Sequence, residues 1–199
     1  MKKALLDGLT RDNVVDKLAA LFEAIKDASY LGEPVAIGEH MLQGAACARR
    51  DGADDALVAA ILLHDVGYYV DSDPGNDNES VADKRHDRAA PRVLEPSFPP
   101  AATEPIRLHV DAKRYLCAVE PSYYDRLSDA SIHTMSLQGG IMSAEQAEAF
   151  AANPHCEDAV RLRRWDEEGK SPDAVVPGFE HYRVMLEALV AQHSDLSNR

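Results

Sequence analysis

The sequence lacks any long apolar run, which excludes a helix that crosses a membrane. No segment approaches the roughly 18 consecutive apolar residues that a spanning helix needs. The N-terminus has two lysines but no apolar stretch after them, so a secretion signal is not expected either.

Cysteine is scarce, and its spacing shows no pairs. The 199 residues include three cysteines, Cys47, Cys117 and Cys156, without a CxxC motif. A small scattered set is typical of reduced thiols packed as small apolar groups. The sequence therefore predicts a cytoplasmic protein without a disulfide framework.

Positive charge is also in deficit. Lysine and arginine total 21 against 34 acidic residues, a formal net charge of −13. So acidic a surface disfavours nucleic acid and anionic membranes as partners, although a local basic pocket remains compatible with it. We expect a small-molecule partner instead.

Strand-like alternation and internal repeats are missing, whereas helical spacing recurs along most of the chain. The pattern indicates helices over about 14–25 and 36–50, and a third that begins near Asp54 or Asp55. The third is apolar around most of its circumference, as expected of a central helix, and Gly67 suits its C-terminal cap. We predict one all-α domain over residues 1–199, a helical bundle with its core at about 14–190.

Capping signals indicate further helices in the second half of the chain. Thr103 is a candidate N-cap with Pro105 in the first turn, and that helix should end near residue 119. Ser143 and Gln146 have the spacing of a capping box. The last helix should cover about 179–192.

The strongest chemical signal is the dipeptide His64-Asp65 at the end of the third helix. An ionised aspartate is costly to bury there unless a cation or several donors compensate it, although the dipeptide alone also fits a helix end that faces solvent. Further candidate ligands on other predicted helices favour a metal centre: His40, His86, His109 and Asp166. Imidazoles and carboxylates without a thiolate suit iron, manganese or zinc.

Asp65 is the natural residue to bridge two ions, because it adjoins His64. Two carboxylates only partly neutralise two ions, so the site should stay positive and attract an anionic substrate. The other histidines, at positions 133, 155, 181 and 193, are individually more typical of surface or ordinary core residues.

The order of these residues resembles the HD-domain superfamily, which mostly contains metal-dependent phosphohydrolases. Several stretches are similar to its small branch of mixed-valent di-iron oxygenases of the PhnZ/TmpB type, which cleave carbon–phosphorus bonds. They are Tyr30-Leu-Gly-Glu33, Glu39-His-Met-Leu-Gln43, Leu63-His-Asp-Val-Gly67, His109-Val-Asp-Ala-Lys-Arg-Tyr-Leu-Cys117, Ser131-Ile-His-Thr134 with Gln138, and Arg164-Trp-Asp166.

The resemblance implies two iron ions as an Fe(II)/Fe(III) pair. It assigns His40, His64, Asp65 and Asp166 to one ion and Asp65, His86 and His109 to the other. It also implies that Tyr30 and Glu33 lie near the metals and move when substrate binds.

Candidate substrate-binding residues follow the last histidine ligand. Lys113 is four residues after His109, on the same helix face, where its ammonium could pair with a phosphonate; a solvated lysine is the alternative. Ser131, Thr134 and Gln138 recur at i, i+3 and i+7, as either one hydrogen-bonding stripe or an ordinary polar face. The resemblance favours a phosphonate-binding cluster in both cases.

Tyr68 departs from the PhnZ pattern, which has a histidine at this position and acts on a primary ammonium. An aromatic ring near Tyr30 and the Glu33 carboxylate would suit a trimethylammonium group through cation–π contact. Simple packing beside the helix end is the alternative for Tyr68.

These observations predict an O2-dependent di-iron oxygenase that converts 1-hydroxy-2-(trimethylammonio)ethylphosphonate to glycine betaine and phosphate. The same reaction on 2-amino-1-hydroxyethylphosphonate, which gives glycine, is the first alternative. A metal-dependent phosphohydrolase is the second, since it could use the same ligands without O2. A signalling module without catalysis is disfavoured, because it would need none of the ligands.

Overall fold

The structure, a computed structural model, describes residues 3–29, 32–70 and 86–197. Within these ranges the chain is helical, and the only β-contact is an isolated antiparallel bridge between Ser29 and Ala36. The all-α prediction is therefore confirmed. No helix in the described ranges is both long enough and apolar enough to cross a membrane.

Ten α-helices follow one another along the described chain, with short 3-10 helices at Lys3–Leu6, Val66–Tyr69 and Phe179–Tyr182. The α-helices are α1 (Val14–Ile25), α2 (Ile37–Arg50), α3 (Asp55–Leu63), α4 (His86–Leu94), α5 (Pro100–Val119), α6 (Pro121–Tyr124), α7 (Asp129–Leu137), α8 (Ala144–Ala151), α9 (Cys156–Glu168) and α10 (Arg183–Ser197).

Helix α3 lies at the centre of the fold, as its sequence predicts. Every residue from Leu57 to Leu63 is buried, so the helix has no solvent-facing side along this stretch. The Asp54 side chain caps it by accepting a hydrogen bond from the Leu57 N–H, which satisfies one of the free donors of the first turn. His64 and Asp65 follow the last residue of this helix and are therefore buried in the core.

Helices α2, α5 and α9 surround α3 and share its core. Helix α5 is 20 residues long and packs against α3, α4 and α9, while α2 packs against α3 and α9. Each of these helices also carries at least one predicted metal ligand. Burial of their apolar faces therefore fixes the relative positions of the ligands.

Two predicted helix boundaries are wrong, each for a physical reason. Helix α5 begins at Pro100 rather than after Thr103, since proline is favoured in the first turn and Thr103 lies buried inside the helix. Gly67 does not cap α3, which ends at Leu63. Gly67 instead lies in a 3-10 helix, where an added Cβ would be 2.8 Å from the carbonyl carbon of His86.

Candidate metal centre and substrate cavity

The first group of predicted ligands meets where α2, α3 and α9 converge. The Nε2 atoms of His40 and His64 are 3.3 Å apart. The Asp166 Oδ1 atom is 3.4 Å from Nε2 of His40, and the Asp65 Oδ2 atom is 3.4 Å from Nε2 of His64. All four side chains are buried, so their polar atoms converge on one water-poor point.

The second group lies on the other side of Asp65. Its Oδ1 atom is 3.6 Å from Nε2 of His86, the first residue of α4, and 4.0 Å from Nε2 of His109 on α5. The two imidazole Nε2 atoms are 3.0 Å apart. Asp65 thus directs one carboxylate oxygen to each group.

Backbone carbonyls fix the orientation of three of the imidazole rings. Nδ1 lies 2.9 Å from the Gly169 carbonyl oxygen in His40, 2.8 Å from that of Ile61 in His64, and 2.6 Å from that of Ile106 in His109. In neutral rings Nδ1–H donates to these carbonyls, so Nε2 keeps its lone pair for the interior of the site. This hydrogen bond is the usual partner of a metal-bound histidine.

The donor atoms fit metal ions better than they fit one another. Two neutral imidazoles whose Nδ1 atoms both donate elsewhere cannot hydrogen-bond through Nε2, yet His40 and His64 approach within 3.3 Å. Among the described residues, Asp65 Oδ2 and Asp166 Oδ1 are buried without a hydrogen-bond partner. Two sets of residues could therefore each hold an ion: His40, His64 and Asp65, and Asp65, His86 and His109.

Burial and neighbouring charges favour the metal-binding protonation states of His64, His109, Asp65 and Asp166. Burial also opposes protonation of His40, but the neighbouring Asp166 and Asp65 carboxylates outweigh burial and raise the pKa of His40. Burial lowers the pKa of His64, and it lowers the pKa of His109 to about 3 together with repulsion from nearby imidazoles. Burial opposes ionisation of Asp65, but the surrounding imidazoles lower its pKa to about 2. Burial likewise opposes ionisation of Asp166, yet Arg163 holds its pKa well below the usual range. Neutral imidazoles and ionised carboxylates are the forms that bind metals.

A cavity opens beside the second group, with Asp65, His86, His109 and Asp166 in its wall. The structure places six predicted substrate-binding residues around the same cavity: Glu33, Tyr68, Lys113, Ser131, Thr134 and Gln138. Tyr30 lies outside the described residues. The predicted substrate-binding residues thus lie around the same cavity as the predicted metal ligands, although these residues are far apart in the sequence.

Lys113 is buried, contrary to the solvated alternative. Only 5% of its surface is exposed, and its Nζ donates to the Thr134 hydroxyl oxygen at 2.8 Å. That hydroxyl in turn donates to the Ser131 carbonyl oxygen at 3.2 Å. A lysine held in this way adds a fixed positive charge to the cavity.

Arg163 is a cavity residue that the sequence reasoning missed. It is 4% exposed and ion-paired with Asp166 and Glu167. It donates to the hydroxyls of Tyr123 at 3.0 Å and Ser131 at 3.1 Å. Arg163 precedes the two carboxylates by three and four residues, a spacing that is equally typical of surface ion pairs on a helix. This spacing was the available sequence signal for the buried pairs.

Lys170 was not predicted either. It contacts a residue predicted to bind the phosphonate, Ser131, and a residue predicted to bind the ammonium group, Glu33. Its Nζ lies 3.0 Å from Glu33 Oε1 and 3.2 Å from Glu167 Oε2. It also donates to the hydroxyls of Ser128 and Ser131, each at 3.0 Å. Ser131 therefore belongs to an ion cluster, rather than forming a simple neutral stripe with Thr134.

Comparisons with known proteins find two named phosphonate dioxygenases among the relatives of this chain. No family model matches the chain. It is 40% identical over 193 residues to the [1-hydroxy-2-(trimethylamino)ethyl]phosphonate dioxygenase (glycine-betaine-forming) of Leisingera caerulea, covering 97% of this chain and 98% of the relative. It is 38% identical over 182 residues to the hydroxymethylphosphonate dioxygenase of Gimesia maris, covering 90% of each.

A third relative is an uncharacterized protein of Acanthamoeba polyphaga mimivirus. It is 30% identical over 180 residues, which cover 88% of this chain and 81% of the relative. The two dioxygenases match nearly their full lengths. The chain belongs to the family of phosphonate oxygenases of the PhnZ/TmpB type.

Proposed function

We propose that the chain cleaves the carbon–phosphorus bond of 1-hydroxy-2-(trimethylammonio)ethylphosphonate with O2. The observation that carries this proposal is the 40% identity, over 97% of the chain, to the glycine-betaine-forming dioxygenase of Leisingera caerulea. The clustered ligands beside a cavity that contains Lys113, Arg163 and Lys170 support it. The products are glycine betaine and phosphate, and each receives one oxygen atom of O2 as the C1–P bond breaks.

Two iron ions as an Fe(II)/Fe(III) pair are the cofactor in this proposal. The first ion is held by His40, His64, Asp65 and Asp166, and the second by Asp65, His86 and His109. The separate orientation of the two Asp65 oxygens supports this division. When bound, the pair would supply a redox-active Fe(II) and open coordination positions for O2, and the net electrons that reduce O2 would come from the substrate.

The protein's own residues bind and orient the substrate. Lys113 and Arg163 provide buried positive charge for the phosphonate, and the nearby hydroxyl and amide groups of Thr134, Ser131 and Gln138 add hydrogen bonds. The opposite, cationic end lies against Glu33 and Tyr68, which line the same cavity. This polarity directs C1 and its hydroxyl to the metal ligands in the cavity wall. The free thiols Cys47, Cys117 and Cys156 support a cytoplasmic location.

Phosphorus NMR of the iron-loaded protein with this phosphonate, in air and under strict anaerobiosis, tests the proposal. We expect phosphate to appear only with O2, in step with O2 consumption. Undiminished phosphate release without O2 would instead support a phosphohydrolase. A parallel reaction with 2-amino-1-hydroxyethylphosphonate separates the quaternary from the primary ammonium substrate, and Asp65→Asn provides the inactive control.

A further inference from the structure

The carboxylate of Glu33 already has a cationic partner inside the cavity. The Glu33 side chain is 6% exposed and that of Lys170 is 10% exposed, and their charged atoms are 3.0 Å apart. The Ser128 hydroxyl donates to the same Glu33 oxygen at 2.6 Å. Glu33 is therefore charge-compensated within the protein before any substrate binds.

Compensation matters because an isolated buried carboxylate is costly. If the ammonium of the substrate were the only positive charge near Glu33, the Glu33 carboxylate would be unpaired whenever the substrate has no ammonium. Lys170 removes this penalty. A cationic substrate, in contrast, must share Glu33 with Lys170 or displace it.

We propose that Lys170 is the internal counter-ion of Glu33 and sets the charge selectivity of the cavity, so that 1-hydroxyphosphonates without a cationic group are also accepted. This inference rests on the proposed function, because it concerns the same cavity. The Lys170 ammonium contacts Glu33 and is also held by Ser128, Ser131 and Glu167. It acts as a specificity-determining residue and takes no part in bond cleavage.

Anaerobic calorimetric binding to iron-loaded protein tests this role without turnover. The two ligands are 1-hydroxy-2-(trimethylammonio)ethylphosphonate and hydroxymethylphosphonate, which share the hydroxyl and phosphonate groups. The ratio of their Kd values, neutral over cationic, therefore cancels any contribution of Lys170 to phosphonate binding. Lys170→Met should raise this ratio at least about tenfold, because Glu33 then depends on the ligand for its counter-charge.

Three further variants make the result specific. Lys170→Gln keeps a hydrogen-bond donor for the serines, should the methionine variant fold poorly, and should raise the ratio in the same direction. Adding Glu33→Gln to Lys170→Met should reverse the rise. Lys26→Met removes a lysine whose side chain is 64% exposed and should leave the ratio unchanged.

If Lys170→Met weakens the binding of both ligands equally, the Kd ratio is unchanged and Lys170 is a phosphonate-binding residue. That result would overturn the proposal, as would unchanged Kd values for both ligands. Phosphate release by the unaltered protein is measured separately. Binding without phosphate release would sink the proposed function while the Kd ratio still decides the role of Lys170. If the unaltered protein binds neither ligand, both the proposed function and the proposed role of Lys170 are overturned.

Discussion

The Tyr68 ring lies parallel to the imidazole of His86, with ring centroids 4.3 Å apart and an angle of 11° between the planes. Tyr68 thus uses one ring face against a predicted metal ligand, and only the other face can meet a substrate cation. Both residues also line the cavity. The arrangement shows the packing interpretation of Tyr68, and cation–π contact with a substrate stays a prediction.

Tyr68→His should narrow the preference for the trimethylammonium substrate over its primary-amine analogue. One well-placed ring contact of about 1.4 kcal/mol corresponds to roughly a tenfold change in the kcat/KM ratio. Competition kinetics with both substrates measures it. Tyr68→Phe keeps the ring face and should preserve the ratio. A primary-amine preference in the unaltered protein would contradict the quaternary-ammonium assignment.

Asp65→Asn should deplete both metal positions, since each group of ligands uses one Asp65 oxygen. We expect about two iron ions per chain in the anaerobically loaded unaltered protein and fewer than about one in the variant. Elemental analysis gives the stoichiometry. His133→Ala removes an exposed histidine on α7 and should retain the full metal content. At most one iron in the unaltered protein would argue against a di-iron centre.

Gly67→Ala should displace His86 and weaken the second metal position more than the first. The added Cβ would be 2.8 Å from the His86 carbonyl carbon, so α4 has to shift at its first residue. Metal content and thermal unfolding report the effect. Gly178→Ala is the matched control, because a Cβ there meets nothing within 4 Å. Equal behaviour of the two variants would show that the contact with His86 is unimportant.

Arg163→Met should destabilise the fold, because it removes the arginine paired with buried Asp166, whereas Glu167 keeps its ion pair with Lys170. Breaking a buried pair in this way typically costs about 3–5 kcal/mol. Urea unfolding measures the loss. Arg164→Met, one residue later, breaks an exposed pair with Glu120 and should cost less than about 1 kcal/mol. A similar small cost for both variants would mean that Arg163 contributes little to folding.

Features that depend on local spacing could be predicted from the sequence. The first predicted helix, over about 14–25, matches α1 at both ends, and the capping box of Ser143 and Gln146 forms with both hydrogen bonds. These patterns report short-range geometry, for which periodicity and capping rules are sufficient.

Features that depend on tertiary packing could not be predicted in the same way. Arg163 and Lys170 carry the charges of ordinary surface residues. Only the packing of α9 against α5, with the hydrogen bonds of both side chains to Ser131 on α7, makes them part of a cavity. Gly67 likewise looks like a helix cap until the approach of His86 is known. Sequence spacing alone does not reveal which helix faces meet.

The division of the Asp65 carboxylate has a consequence for how metal would be acquired. An ion at either position draws one oxygen toward itself and thereby fixes the rotation of the whole carboxylate, including the oxygen that faces the other position. The first ion would thus order the Asp65 carboxylate before the second ion binds. The second ion would then bind more tightly than the first, which is positive cooperativity. Titration of the metal-free protein with Fe(II) should then populate the empty and doubly loaded forms at the expense of the singly loaded one.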